Sequence, residues 1–196
     1  MQAATKLENY TYEDYLQIDK TSNERVELIF GQIYMMAGAS AEHQDVVGNI
    51  FYLIKNFTKD KNSCKPRVAP YDLKLKVDNQ INVVQPDVMI FCENSKNPCA
   101  VFEVLSKSTA YKDKSIKKEL YERSGIKEYF LVDYNFAIVE KFKLNNNKYE
   151  YIKAFSLGET IKIECINQEI LVDDIFEGLE IGIKESDTKE IGEKKI

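Results

Sequence analysis

Apolar residues along the chain mostly recur in short alternating stretches, but in two places they run almost without a break. Residues 83–91 (VVQPDVMIF) and 99–106 (CAVFEVLS) are crowded with β-branched and aromatic side chains, which predicts buried strands. Each run holds a single acid, Asp87 in the first and Glu103 in the second. An ionised carboxylate in a buried strand is costly unless it is paired or binds a metal. Two of them in successive strands point to something cationic between them.

The remaining pattern frames these runs. Thr11 caps a short helix, with Asp14 placed to complete a capping box. Residues 25–30 and 32–36 flank Gly31 as a hairpin, and Glu27 lies in its first strand. Ser40 caps a helix to about Lys59, whose apolar stripe is Val46, Val47, Ile50, Phe51, Ile54 and Phe57. Residues 61–66 read as a polar loop. Residues 67–77 then alternate strictly, as one strand: Tyr71, Leu73, Leu75 and Val77 face one way, Asp72, Lys74 and Lys76 the other.

Turns at 78–80 and 94–98 lead into the two acid-bearing strands. A helix over 112–124, stopped by Gly125, and a buried strand over 128–133 follow. The middle of the chain thus reads helix, three strands, helix, strand. A hairpin around Asn145-Asn146-Asn147 and short strands near 160–171 complete a single domain over residues 1–184. Residues 185–196 have little apolar periodicity and are expected to form a flexible tail.

With 196 residues, 44% of them hydrophobic, the chain can bury a real core. No apolar run approaches the roughly 18 residues of a membrane span. The N-terminus lacks an apolar signal core. The expectation is a cytoplasmic protein without a membrane partner. Cys64, Cys92, Cys99 and Cys165 show no CxxC spacing, and His43 is the single histidine, so no Cys/His zinc motif is present. The cysteines are expected to be buried, reduced thiols. The net charge is −5, yet residues 53–127 carry 15 Lys and Arg against 9 Asp and Glu, and the remainder 12 against 23. The basic half is the half with the two acids, which suits a phosphate-bearing substrate. An ordinary lysine-rich surface has the same composition, and charge alone leaves both open.

Asp113, Lys117 and Tyr121 recur every four residues, on one face of the helix after the Glu103 strand. Glu42 and His43 sit in the first turn of the helix capped by Ser40. Glu27 reads either as an ion-pair partner or as an auxiliary acid. Ser106, Ser108 and Thr109 read as shaping the strand-to-helix turn, and Tyr121 as core packing.

Pro86-Asp87, Glu103-Val104-Leu105-Ser106, Asp113-x3-Lys117-x3-Tyr121 and Gly125-x2-Glu128-Tyr129-x2-Val132-Asp133 together resemble the Uma2 family of the PD-(D/E)XK nuclease superfamily. Glu27-Leu28-Ile29-x-Gly31-x-Ile33-Tyr34-Met35 and Ala41-Glu42-His43-Gln44 extend the likeness to about residues 10–178. The resemblance implies an α/β (α+β) fold, a restriction-endonuclease-like mixed sheet with an α-β-β-β-α-β core and extra hairpins. It implies a Mg²⁺-dependent endonuclease acting on DNA, with Mn²⁺ as the alternative ion and a homodimer as the working form.

The implied metal ligands are Asp87, Glu103 and the backbone carbonyl of Val104. The lysine that the superfamily carries two residues after the glutamate is Leu105 here. The resemblance implies that Lys117 supplies it from the helix, ahead of Lys118 and Lys107, with Glu27, Glu42, His43 and Asp113 as auxiliary groups. Leu105 also leaves open a nuclease fold that binds nucleic acid or protein without cutting. A purely structural protein is the third reading.

Overall fold

The computed structural model describes residues 9–59, 63–93, 95–106 and 109–180. The expected tail at 185–196, Lys107 and Ser108 lie outside the described residues. Helix α1 (Tyr12–Thr21) opens on the Thr11–Asp14 capping box. Strands β1 (Val26–Ile29) and β2 (Gln32–Met35) turn through Phe30 and Gly31, both with positive φ. Helix α2 (Ala41–Thr58) starts where the Ser40 hydroxyl accepts the His43 N–H, and it buries Val46, Ile50 and Ile54.

The expected single strand over 67–77 is two strands, and β3 begins inside the expected polar loop. β3 (Cys64–Val68) lies in a six-stranded sheet, whereas β4 (Leu73–Val77) lies in a four-stranded one. The run over 83–91 is divided likewise, between β5 (Gln80–Val84) and β6 (Val88–Cys92). Each break holds a proline, Pro70 in one and Pro86 in the other, which has no N–H for a strand ladder. The chain leaves the larger sheet at the first proline and returns to it at the second.

β7 (Ala100–Val104) follows β6. Helix α3 then runs in three pieces, Ala110–Lys112, a π-helical Asp113–Lys117 and Lys118–Arg123, and delivers the chain to β8 (Glu128–Asp133), parallel to β7. A hairpin of β9 (Ile138–Asn145) and β10 (Lys148–Phe155) extends the sheet in the order β10-β9-β8-β7-β6-β3. The smaller sheet runs β2-β1-β5-β4. β11 (Thr160–Ile163), β12 (Gln168–Leu171) and a short helix Val172–Ile175 complete the described chain. With the β4–β5 hairpin set aside as an excursion, the core order is α2-β3-β6-β7-α3-β8, the α-β-β-β-α-β order expected.

Both faces of the larger sheet are covered, which is why its central strands are apolar without alternation. Val88, Ile90, Phe102 and Val104 pack with Val46, Ile50 and Ile54 of α2. Met89, Val101 and Leu105 pack on the other face with Leu120 and Tyr121 of α3. Side chains alternate along a strand, so Glu103 shares the face of Val101 and Leu105 and points toward α3.

The cysteines do not match the expectation of separate reduced thiols. Cys64 is directly opposite Cys92 in the β3–β6 ladder, and the structure joins that pair and the pair Cys99–Cys165 as disulfides. The separations, 28 and 66 residues, explain why no spacing motif announces them.

Candidate active site

The turn from β5 to β6, where the chain passes between sheets, holds the first acid. Asp87 Oδ2 accepts the Val104 N–H at 2.8 Å, which ties the start of β6 to the end of β7. His43, from the first turn of α2, places Nε2 3.4 Å from the same oxygen. Just before it, the Gln85 N–H donates to Glu27 Oε1 at 2.9 Å, linking the smaller sheet to this point.

Lys117 is the centre of the charge pattern. Its Nζ lies 3.0 Å from Glu103 Oε1, 3.0 Å from Glu27 Oε1 and 3.6 Å from Asp113 Oδ1. All four side chains are buried. Lys117 and Asp113 sit at the two ends of the π-helical segment, a widened turn of the kind that recurs at functional sites. Leu105, at the position of the usual lysine, is buried against Leu120 and Tyr121. The helix, not the strand, brings the ammonium to Glu103. Lys118 points elsewhere, with Nζ 3.9 Å from the centre of the Phe142 ring.

Asp87, Glu103, Val104, His43, Asp113 and Lys117 line one cleft of about 360 Å³, together with Arg25, Gln85, Ser106, Thr109 and Lys112. Glu27 stands behind its wall, fully buried. Glu42 is not brought to the cleft. It is exposed in the first turn of α2, and its own backbone N–H and Ser40 hold its carboxyl below the usual range.

Three contributors escape sequence reasoning. Lys112 donates to Glu27 Oε2 at 2.5 Å, across 85 residues. Gln85 positions Glu27. Tyr121 is core packing as expected, but its hydroxyl also donates to Glu103 Oε1 at 2.5 Å. A polar residue beside Pro86 and a tyrosine on the Lys117 face are the only signals that sequence offered for the last two. Ser106 and Thr109 do shape the turn: their hydroxyls lie 3.0 Å apart, and each accepts the other's backbone N–H.

Burial pushes the Glu103 carboxyl up to about 8; Lys117 pulls it down, and Asp113, Asp87 and Glu27 add to the rise. Burial raises Asp113 as well, against Lys117. For Lys117 burial acts downward, but Glu103, Glu27 and Asp113 outweigh it and hold the ammonium well above its ordinary value. Glu27 is held low, because Lys117, Lys112 and the Gln85 amide overcome its burial. His43 is raised, since Asp87 outweighs desolvation. Four carboxyl groups therefore face two ammonium groups and one imidazole, and Glu103 bears the surplus.

This donor set fits a hard divalent cation: its oxygens come from carboxylates, and the excess of acid is relieved by positive charge. Asp113 Oδ1 and His43 Nδ1 are buried without a hydrogen-bond partner among the described residues, so the polar network has spare capacity.

The fold defines the class: a restriction-endonuclease-like α+β domain. The chain belongs to the Uma2 family, described as putative restriction endonuclease, whose family model matches residues 12–173. Two Synechocystis sp. proteins are similar to it. The uncharacterized protein slr1290 is 29% identical over 176 residues, covering 85% of this chain and 91% of its own. The uncharacterized protein sll1609 is 30% identical over 173 residues, covering 83% and 94%. A crystal structure described as a putative nuclease belonging to DUF820, from Anabaena variabilis, superposes with a TM-score of 0.68 at 14% identity, covering 85% of this chain and 97% of that one. That likeness speaks for the fold. No helix among the described residues is long and apolar enough to cross a membrane.

Proposed function

We propose that this chain is a Mg²⁺-dependent endonuclease that hydrolyses phosphodiester bonds in DNA at the cleft between α2, the β6–β7 strand ends and α3. One observation carries the reading: Lys117 Nζ stands 3.0 Å from Glu103, on a cleft shared with Asp87. Two strand acids and a lysine are thereby regrouped although Leu105 has taken the usual lysine position.

Asp87 and Glu103, with the Val104 carbonyl, are the groups that would hold the ion; Mn²⁺ suits the same oxygens. When bound, Mg²⁺ supplies Lewis-acid neutralisation of phosphate charge and acidifies a water molecule. The protein residues have separate tasks. Val104 N–H and His43 fix the orientation of Asp87. Tyr121 and Lys117 fix Glu103. Lys117 is held protonated by three carboxylates, so it acts as a donor, orienting the attacking water or steadying the anionic phosphate, and not as a base. Glu27, clamped by Lys112 and the Gln85 amide, keeps Lys117 in place. Cleavage of both strands of a duplex needs two such sites, which makes a homodimer part of the reading.

A second reading has its own observation. Lys117 is so fully engaged by carboxylates that it could serve only to neutralise them, leaving a fold that binds nucleic acid without cutting it. Calorimetric Mg²⁺ titration beside plasmid nicking separates the two, with wild type, Asp87→Ala and Lys117→Met compared. The nuclease reading expects metal binding and nicking in wild type, loss of both in Asp87→Ala, and metal binding without nicking in Lys117→Met. Wild type that binds Mg²⁺ and plasmid but leaves it intact overturns it.

A further inference from the structure

The four cysteines gather at the opposite end of the central strands from the cleft. Cys92 is five residues beyond Asp87 along β6, roughly 17 Å at 3.3 Å per residue. Cys64 comes from β3, Cys92 from the end of β6, Cys99 from the residue before β7, and Cys165 from the 3₁₀ turn Glu164–Ile166 between β11 and β12. The two disulfides are not independent crosslinks. Cys92 Sγ is 3.5 Å from Cys99 Sγ of the other pair, and the ligand atoms of Cys92, Cys99 and Cys165 all lie within 4.8 Å of one another. Cys64 stands outside that group of three but is bonded to Cys92, so its sulfur is the nearest candidate for a fourth ligand once the pair is reduced.

We propose that in the reduced protein these four thiolates form a tetrahedral site for one Zn²⁺ ion. A Zn–S bond of about 2.3 Å places tetrahedral sulfurs about 3.8 Å apart, close to the Cys92–Cys99 separation. An iron–sulfur cluster interposes several atoms between its thiolates and needs a wider ring. The donors are all sulfur, which selects a soft or borderline ion and excludes Mg²⁺.

The backbone around the sulfurs is already held. The Glu128 carboxylate accepts the N–H groups of Glu164 and Cys165 at 3.0 Å each, and the Glu128 N–H donates to the Cys99 carbonyl at 3.1 Å. Lys141 pairs with Glu128 at 3.0 Å. Glu128 thus fixes two of the four ligand segments, Cys165 through its carboxylate and Cys99 through its backbone N–H, and the carboxylate acts as outer-shell groups do at metal sites. The ion would tie the β11–β12 hairpin to the edge of the larger sheet.

The interconversion balances. Reducing both disulfides takes four electrons from two equivalents of a phosphine, while two water molecules supply the four protons and the oxygen of the two phosphine oxides. Zn²⁺ then takes the four sulfurs as thiolates and releases the thiol protons. The full-length protein, reduced with a phosphine, is titrated anaerobically with Co²⁺ as a spectroscopic stand-in, and then with Zn²⁺. The expected result is a thiolate-to-cobalt charge-transfer band with tetrahedral d–d absorption, saturating at one equivalent, bleached by Zn²⁺ and diminished in Cys165→Ser and in Cys64→Ser. The band reports sulfur ligation, so cobalt held by the carboxylates does not contribute. Zn²⁺ is also expected to slow the reaction of all four thiols with a thiol reagent. Absence of the band, with four thiols reacting equally fast with and without metal, overturns the proposal and leaves two disulfides. A band unchanged in both serine variants overturns the four-sulfur assignment.

Discussion

Glu103→Gln is expected to make the protein more stable and inactive at once. The substitution keeps the shape and the acceptor for Lys117 and Tyr121, and it removes the carboxyl that bears the surplus charge. In wild type that carboxyl is raised from 4.5 to about 8, chiefly by burial. A raised acid holds its proton more tightly in the folded chain, so its contribution is full below pH 4.5 and is lost as pH rises to about 8. At 1.36 kcal/mol per unit, the fall is about 5 kcal/mol as an upper bound.

Asp113 is raised too and adds to the fall with the same sign. Glu27 is lowered, so its contribution is present above 4.5 and is lost only as pH falls below that. Lys117, raised, contributes throughout this range and loses its share only far above it. Between about pH 5 and about pH 8 Glu103 therefore makes stability fall as pH rises, with Asp113 and His43 acting in the same direction. Urea denaturation in EDTA is expected to show wild type losing several kcal/mol across that range, with a much flatter line for Glu103→Gln. The two should be nearly equal at the acid end, and the variant more stable at the alkaline end. Saturating Mg²⁺ should flatten the wild-type line and leave the variant unmoved, while nicking is absent in the variant. Parallel pH profiles for the two proteins in EDTA would refute the claim that Glu103 carries the excess charge.

Three further outcomes follow from the same geometry. Lys117→Met leaves buried carboxylates short of a partner and should cost about 3–5 kcal/mol by denaturation at neutral pH, less in acid where they take up protons. Nicking by that variant should fall at least about 100-fold, whereas Lys118→Ala should leave it unchanged. His43 is raised by Asp87, so its stabilisation is full below 6.5 and is lost as pH rises through its folded value. Thermal melts of His43→Ala should therefore converge on wild type at alkaline pH. Glu128→Gln leaves Lys141 with the Lys162 carbonyl and the more distant, half-exposed Glu164 and weakens two backbone bonds, so it should cost about 1–3 kcal/mol by denaturation while Mg²⁺ affinity at the cleft stays as in wild type.

Local signals carry most of the helices and hairpins. The Thr11–Asp14 box, the Ser40 cap and the Phe30-Gly31 turn each involve neighbours, and each is where the pattern puts it. The change of sheet at Pro70 and Pro86 is not visible in the same way. Residues on both sides keep a strand period, and a period of two does not say which sheet a strand joins. Lys117 is legible from its spacing to Asp113. Its link to Glu27, like that of Lys112, spans the two sheets and needs the folded chain.

The acids themselves test how far an interrupted apolar run can be read. Glu103 and Glu128 both sit in buried strands and break the pattern equally, and local rules are indeed expected to fail at functional residues. Yet the two have different surroundings. Glu128 meets Lys141 and two backbone amides, a set that balances one charge. Glu103 meets one ammonium shared among three carboxylates, with a fourth, Asp87, on the same cleft. A buried acid whose charge is answered serves the fold. A buried acid left in surplus, beside a cleft, costs stability that the fold alone does not require, and under the proposed metal-dependent function a cation is the partner that would turn that cost into binding.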